Sequence, residues 1–296
     1  MPLEVADASR LVVGEGLAWD AASERLYWIG IEDQQVRWLD HRAGTSHVLD
    51  LPTLPGTLAP YRDSRVLLAV AEGFAVLDTA TGSLEMVAEV EIDSPERRMN
   101  DGKCDPFGRM VAGTMTLAEP RVAGPLYRLE SGQDGSDHPA DSPRVTILRD
   151  GFFIPNGLDW PSPDLLWHID TPTETACLYE YPEYGPLADP VRVLDLSAYE
   201  GSPDGMTRDA EGNLWIAFWG GSAVRCFSPT TGALLETVPV PTAQPSNCTF
   251  GGPDLTDLYI TSAAVGREAS DEYAGALFRY PGLAKGAAPA RPWSGL

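Results

Sequence analysis

The stretch RLYWIGIEDQQVRWLD, residues 25–40, sets one short apolar run against a second across a polar break. Runs this short and this rich in Tyr, Trp, Val and Ile favour strands, and no long stretch of the chain holds a helical period. The pattern recurs. RVLLAV at 65, RMVAGT at 109, DLLWHI at 164, NLWIAF at 213 and DLYITS at 257 resemble RLYWIG at 25, with starts 40, 44, 55, 49 and 44 residues apart. Each is followed, after a turn, by a second strand-like piece: QVRWLD, GFAVLD, PLYRLE, CLYEYP, AVRCFS and ALFRYP. A unit of about 40 to 50 residues carrying four short strands is the size of a propeller blade. Six units predict an all-β, six-bladed β-propeller, with residues 1–296 as one domain. A β-sandwich of this length leaves the period unexplained. The long third interval is assigned to a polar surface loop, SGQDGSDHPADSP (131–143). RLVVGE (10–15) is expected to complete the last blade and close the ring edge to edge.

Upstream of the repeated strands stand GEGLAWDAASE, MNDGKCDPFG, PNGLDWPSPD, SPDGMTRDAEG and PSNCTFGGPDLTD. Glu15, Asp101, Asn156 and Asp204 each precede a glycine, and Asn247 holds the same place before Cys248. From these residues to the first apolar residue of the next strand is 11, 9, 9, 10 and 11 positions. The second unit departs, offering Pro55-Gly56 and no polar head. Asn-Asp-Gly and Asp-Pro-x-Gly are good turn chemistry, which accounts for the glycines but not for the repeated oxygen donors. Equivalent positions in a propeller lie equally far from its axis, so heads at the start of the innermost strands converge on one end of the central channel. Carboxylates and carboxamides gathered there are costly to bury bare. A hard divalent cation removes that cost, since such oxygens are its ordinary ligands. The expectation is a metal site at one end of the channel.

Composition narrows the partners. The chain has 43 acidic and 21 basic residues, a formal charge of −22, which repels phosphate backbones and anionic membranes. Neither nucleic acid nor membrane is therefore expected as a partner. MPLEVADASR has no apolar core of a signal peptide, and runs such as VLLAVA (66–71) are too short to span a bilayer, so the cytoplasm is the expected compartment. Cys104, Cys177, Cys226 and Cys248 show no metal-ligand spacing and read as small buried hydrophobes. A Ser-His-Asp triad needs a histidine. His41 and His47 fall in a turn, His138 in the polar loop, and His168 reads as a packed strand residue. HExxH, P-loop and dinucleotide fingerprints are lacking. The tryptophans follow the blade repeat and read as packing, with Trp219 in FWGGS a candidate for the substrate border. Lys103, one of two lysines, reads as exposed beside its turn.

GEGLAWD, RRMNDGKCDPFGRMVAGTM, PNGLDW, SPDGM and SNCTFGGPDLTDLYITSA resemble the senescence-marker-protein/gluconolactonase/luciferin-regenerating family, which includes regucalcin and bacterial sugar lactonases. The pieces run in the family's order from residue 14 to residue 263. The resemblance implies one catalytic divalent cation in the channel, with Glu15, Asn156 and Asp204 as its ligands. It also implies Arg98 and Asn100 as substrate contacts and Asp204 as general base. The glycine alignment selects Asp101, whereas the family pattern selects Asn100. Strand neighbours face opposite ways, so both line the channel only if the chain bulges, and Asn100 is taken as the inward one. Gly30 stands where family members often carry Asp, a difference expected to touch only the blade surface. TLAEPRVAGP, after Met115, is shorter than in the animal proteins, leaving Glu119 as an unsecured counterpart of the family's substrate-binding Glu.

The implied function is metal-dependent hydrolysis of a sugar (aldono-)lactone to its aldonic acid. A cation held by Glu15, Asn156 and Asp204 polarises the carbonyl, and Asp204 accepts a proton from water. Oxygen-only ligation favours calcium, magnesium, manganese or iron(II) over a thiolate-seeking ion; calcium is the favoured choice, with zinc not distinguished. Two other readings share the ligands: a regucalcin-like calcium-binding or regulatory protein, and an esterase or organophosphatase. A bare interaction platform does not account for the converging donors.

Overall fold

A computed structural model describes residues 2–90, 96–117, 122–130, 143–267 and 269–295. Six four-stranded antiparallel sheets form the blades of a six-bladed β-propeller. Every repeated segment falls on the second strand of its blade: Arg25–Gly30, Arg65–Val70, Met110–Thr116, Leu165–Asp170, Leu214–Trp219 and Asp257–Ser262. These strands are buried along nearly their whole length, which is why they read as continuous apolar runs. Burial falls outward. In blade 1 the third strand, Gln35–Asp40, alternates buried and half-buried residues, and the outermost, Thr45–Asp50, is exposed. Outer hairpins turn on Asp-x-x-x-Gly, as at Asp40–Gly44, where Asp40 Oδ1 accepts from Ala43 N and Gly44 takes φ +64°.

The core lies between blades. Tyr27, Ile29, Val36 and Trp38 of blade 1 pack against Leu58, Val66, Leu68 and Val70 of blade 2. Trp215 and Val224 of blade 5 meet Phe250, Leu258 and Phe278 of blade 6 in the same way. Trp19 and Trp28 pack with Tyr259 and Leu277 across the junction of blades 1 and 6. The packing role expected for these tryptophans holds.

Ring closure differs from the sequence expectation. The strand that completes blade 6 is Glu4–Asp7, paired with Leu277–Tyr280, and not RLVVGE. Gly14 and Glu15 already belong to the innermost strand of blade 1, and Leu11 is drawn into the core beside Trp19. The polar EVAD segment suits an outer edge, where charge discourages further pairing. The polar loop, apart from Pro143, and Glu119 lie outside the described residues. Gly30 is buried and not at the blade surface, because a Cβ there would lie 2.9 Å from both Leu11 Cδ2 and Asp33 Oδ2. His47 sits on the outermost strand of blade 1, stacked on Trp38 with ring centres 5.0 Å apart.

Candidate functional site

The innermost strands are Gly14–Asp20, Pro55–Pro60, Arg97–Cys104, Pro155–Ser162, Ser202–Arg208 and Pro245–Gly251. Each loses register with its neighbour near its start: Glu15/Ala18, Pro55/Thr57, Met99/Gly102, Asn156/Leu158, Pro203/Met206 and Pro245/Cys248. A bulge therefore falls near the start of the innermost strand in all six blades, and in five of them at the polar head. Extra residues in a bulge break the alternation of faces, and this resolves the conflict between Asn100 and Asp101. Both are buried, and both take part in the polar cluster at this end of the channel.

The glycines beside the heads let adjacent strands close on one another. A Cβ on Gly205 would lie 2.3 Å from Asn247 Cγ, and one on Gly157 would lie 2.8 Å from the Asp204 carbonyl oxygen. Blade 2 lacks a polar head, but its Thr57 hydroxyl donates to Gly102 O at 2.9 Å and ties that blade into the ring.

Hydrogen bonds then link the heads. Arg98 Nη1 donates to Asn100 Oδ1 at 2.8 Å, and Asn100 Nδ2 donates to Asn156 Oδ1 and Pro155 O, each at 2.9 Å. Asn156 Nδ2 donates to Thr171 Oγ1, which donates to Pro203 O, both at 2.8 Å. At the junction of blades 6 and 1 Asn247 Nδ2 donates to Glu15 Oε2 at 2.8 Å. Cys248 N fixes the Asn247 amide by donating to its Oδ1 at 2.8 Å. Two members of this network carry no expected role in the sequence. Asn247 emerges there only as a repeat position, and nothing in HIDTPT marks Thr171.

Three carboxyl groups thus share one buried pole. Burial, and then the charge of Asp101, pushes Glu15 up to about 8 against the pull of Asn247, Gly16 and Arg98. Burial raises Asp101 to about 6, partly offset by Lys103 and by hydrogen bonds from Gly102 and Asn247. Asp204 is raised well above the usual carboxylate range by burial, then by Glu15 and Asp101. Burial also lowers Arg98 to about 10, even with Glu15, Glu32 and Asp204 nearby. Arg98 contributes one cation to this pole.

This donor set fits a hard cation. The carboxylates of Glu15 and Asp204 and the Oδ1 of Asn156 are oxygen donors of the kind such an ion takes, and repulsion between the two carboxylates is what a divalent ion would offset. Among the described residues no three Asp, Glu, His or Cys side chains form a metal cage by themselves; the set here depends on the amide of Asn156.

Two expectations change. Lys103 is not exposed beside its turn. It points into the channel, with Nζ donating to Met206 O at 2.9 Å and 3.6 Å from Asp159 Oδ2. His168 is buried as expected for a strand residue, but its Nε2 has no hydrogen-bond partner among the described residues. Cys104, Cys226 and Cys248 are buried and Cys177 partly so, none of them in a disulfide.

Residues 13–264 match the model of the SMP-30/Gluconolactonase/LRE-like region. The Bacillus subtilis (strain 168) protein YvrE, named as a sugar lactone lactonase, is 33% identical over 276 residues, covering 91% of each chain. Regucalcin of Danio rerio is 33% identical over 293 residues, covering 96% of this chain and 95% of its own. Among solved structures, a calcium-binding regucalcin from Agrobacterium tumefaciens superposes with a TM-score of 0.87 at 28% identity, over 99% of this chain and 98% of its own. The six-bladed architecture, the ring of polar heads and these matches agree: the chain belongs to the SMP-30/gluconolactonase/LRE-like family.

Proposed function

We propose that the protein hydrolyses a sugar lactone to its aldonic acid, with Glu15, Asn156 and Asp204 holding one divalent cation, calcium favoured. The observation that carries this reading is the convergence of Glu15, Asp101 and Asp204 with Arg98, Asn100 and Asn156 at one buried pole. Relatives named for lactone hydrolysis and for calcium binding support it. A bound cation supplies Lewis acidity to the substrate carbonyl.

The chain's own groups divide the remaining work. Arg98 uses Nη1 on Met99 O and Asn100 Oδ1, which leaves other guanidinium donors for a substrate oxygen. Asn100 has both amide hydrogens engaged, so it orients Arg98 and Asn156 and offers substrate only the remaining acceptor capacity of Oδ1. Asp204, its basicity raised by burial, takes a proton from the attacking water. Water oxygen bonds to the carbonyl carbon, the ring C–O bond breaks, and Asp204 returns the proton to the departing hydroxyl. The product is the open hydroxy acid.

The test is acid release from a panel of aldonolactones by chelator-stripped protein, before and after adding back single divalent cations. Hydrolysis restored by a cation and lost in Asp204→Asn supports the assignment. Faster turnover of aryl esters or phosphotriesters than of any lactone moves it to the esterase reading. Cation binding without turnover moves it to a binding role.

A further inference from the structure

The opposite end of the channel holds a cavity of about 310 Å³, built from the later residues of all six innermost strands. Its walls are apolar and aromatic: Leu17, Trp19, Leu58, Trp160 and Phe250. Its charged lining is cationic on balance. Lys103, Arg208 and Arg291 face it, against Asp159 and Asp105. Asp105 is already matched from behind by Arg109 Nε at 2.6 Å and by the Tyr181 hydroxyl at 2.8 Å. Asp159 serves two cations at once, accepting from Arg208 Nε at 2.8 Å and lying 3.6 Å from Lys103 Nζ. A surplus of positive charge thus lines this cavity in a chain of net charge −22.

Both cations keep donors in hand. Lys103 spends one N–H on Met206 O, and Arg208 spends two donors, on Asp159 and on Trp160 O. Their side chains remain 21% and 20% exposed.

The C-terminal segment spans the mouth. Ala287 N donates to Arg208 O at 3.0 Å on blade 5, and Trp293 N donates to Pro60 O at 2.8 Å on blade 2. Trp293 is buried against Tyr61, ring centres 4.7 Å apart, and Ser294 N bonds Gly108 O at 2.9 Å. Residues 288–292, APARP, make no backbone hydrogen bond among the described residues and bridge the two anchors as a strap.

We propose that this cavity is a second small-molecule site, which takes an organic anion combining a carboxylate with a flat apolar body. The carboxylate pairs with Lys103 and Arg208, and the body packs between Trp19, Trp160 and Phe250 under the strap. Charge-assisted hydrogen bonds give such a site its preference for anions, and the aromatic walls give it the preference for apolar bodies. This assignment does not depend on lactone hydrolysis at the other end.

Isothermal titration of the full chain with 1-naphthoate, and with neutral 1-naphthalenemethanol, tests it. Naphthoate should bind once per chain, with the alcohol about tenfold weaker or more. Lys103→Met should weaken naphthoate by a similar factor. Ala290→Trp, on the exposed strap, should fill the mouth and abolish binding without touching the fold. Asp204→Asn should bind naphthoate as the parent does, which separates this site from the polar pole. No saturable binding up to about 5 mM, where affinity falls near 3 kcal/mol, would overturn the proposal. So would equal affinity for the neutral alcohol, or undiminished binding by the Ala290→Trp protein.

Discussion

Replacing Glu15 by Gln should make the cation-free protein more stable at neutral pH while removing its stabilisation by calcium. In the folded chain burial and the charge of Asp101 raise the Glu15 carboxyl from 4.5 to about 8. The unfolded chain releases that proton near 4.5, so stability present below that pH is lost as pH rises toward 8. At pH 7 the loss is about 3 kcal/mol, at 1.36 kcal/mol per pH unit between the two values. Gln carries no such penalty. It also keeps an acceptor for Asn247 Nδ2 and Gly16 N, which both bond one oxygen, Oε2, at 2.8 and 3.0 Å. The gain corresponds to a melting temperature about 5 to 10 °C higher. With calcium at a hundred times its dissociation constant the parent should recover about 2.7 kcal/mol, and Glu15→Gln almost none. The assay is thermal unfolding at pH 7 of chelator-treated and calcium-loaded protein. A cation-free variant no more stable than its parent would show that Glu15 carries no such burial penalty. A variant that calcium stabilises equally would show that Glu15 does not hold the cation.

Three further outcomes follow from the packing. Gly205→Ala drives a Cβ into the Asn247 amide, 2.3 Å away, so it should cost about 1 to 3 kcal/mol and weaken cation binding; denaturant titration and calorimetry read both. His168, buried beside Phe152 and lowered by burial to about 3, stays neutral in the folded chain while the unfolded chain takes up a proton near 6.5. Stability is therefore lost as pH falls below 6.5, by about 1 kcal/mol at pH 5.5, and His168→Leu should remove that share of the slope in urea titrations. Deleting residues 1–8 uncovers the edge at Leu277–Tyr280 and forfeits three register pairs, which should cost about 2 to 3 kcal/mol and promote self-association, measured by denaturant midpoint and light scattering.

The blade repeat was readable because each second strand is buried by its neighbours and must be apolar throughout, whatever its other contacts. The polar heads were readable for a related reason: a closed ring places six equivalent positions at one pole, and five of them carry an oxygen-bearing side chain. The bulge was readable only as a condition, since sequence names Asn100 and Asp101 but does not say that the register slips between Met99 and Gly102. The placement of Lys103 is not legible in sequence because DGK carries turn chemistry, while its strand continues to Cys104 and directs the side chain down the channel. Sequence points to the wrong closing strand because RLVV is the more apolar segment, whereas an exposed outer edge selects polar EVAD. Thr171 and the strap leave no periodic trace, because a single hydroxyl in a loop and a proline-rich tail acquire meaning only from what they lie against.

Cation-dependent hydrolysis at this pole is read from the rate of lactone opening by chelator-stripped protein as a divalent cation is titrated in. The rate should rise from the buffer level and level off at one cation per chain, with Asp204→Asn flat throughout. Hydrolysis that proceeds at full rate in the stripped protein, or that survives in Asp204→Asn, would contradict the assignment of this pole.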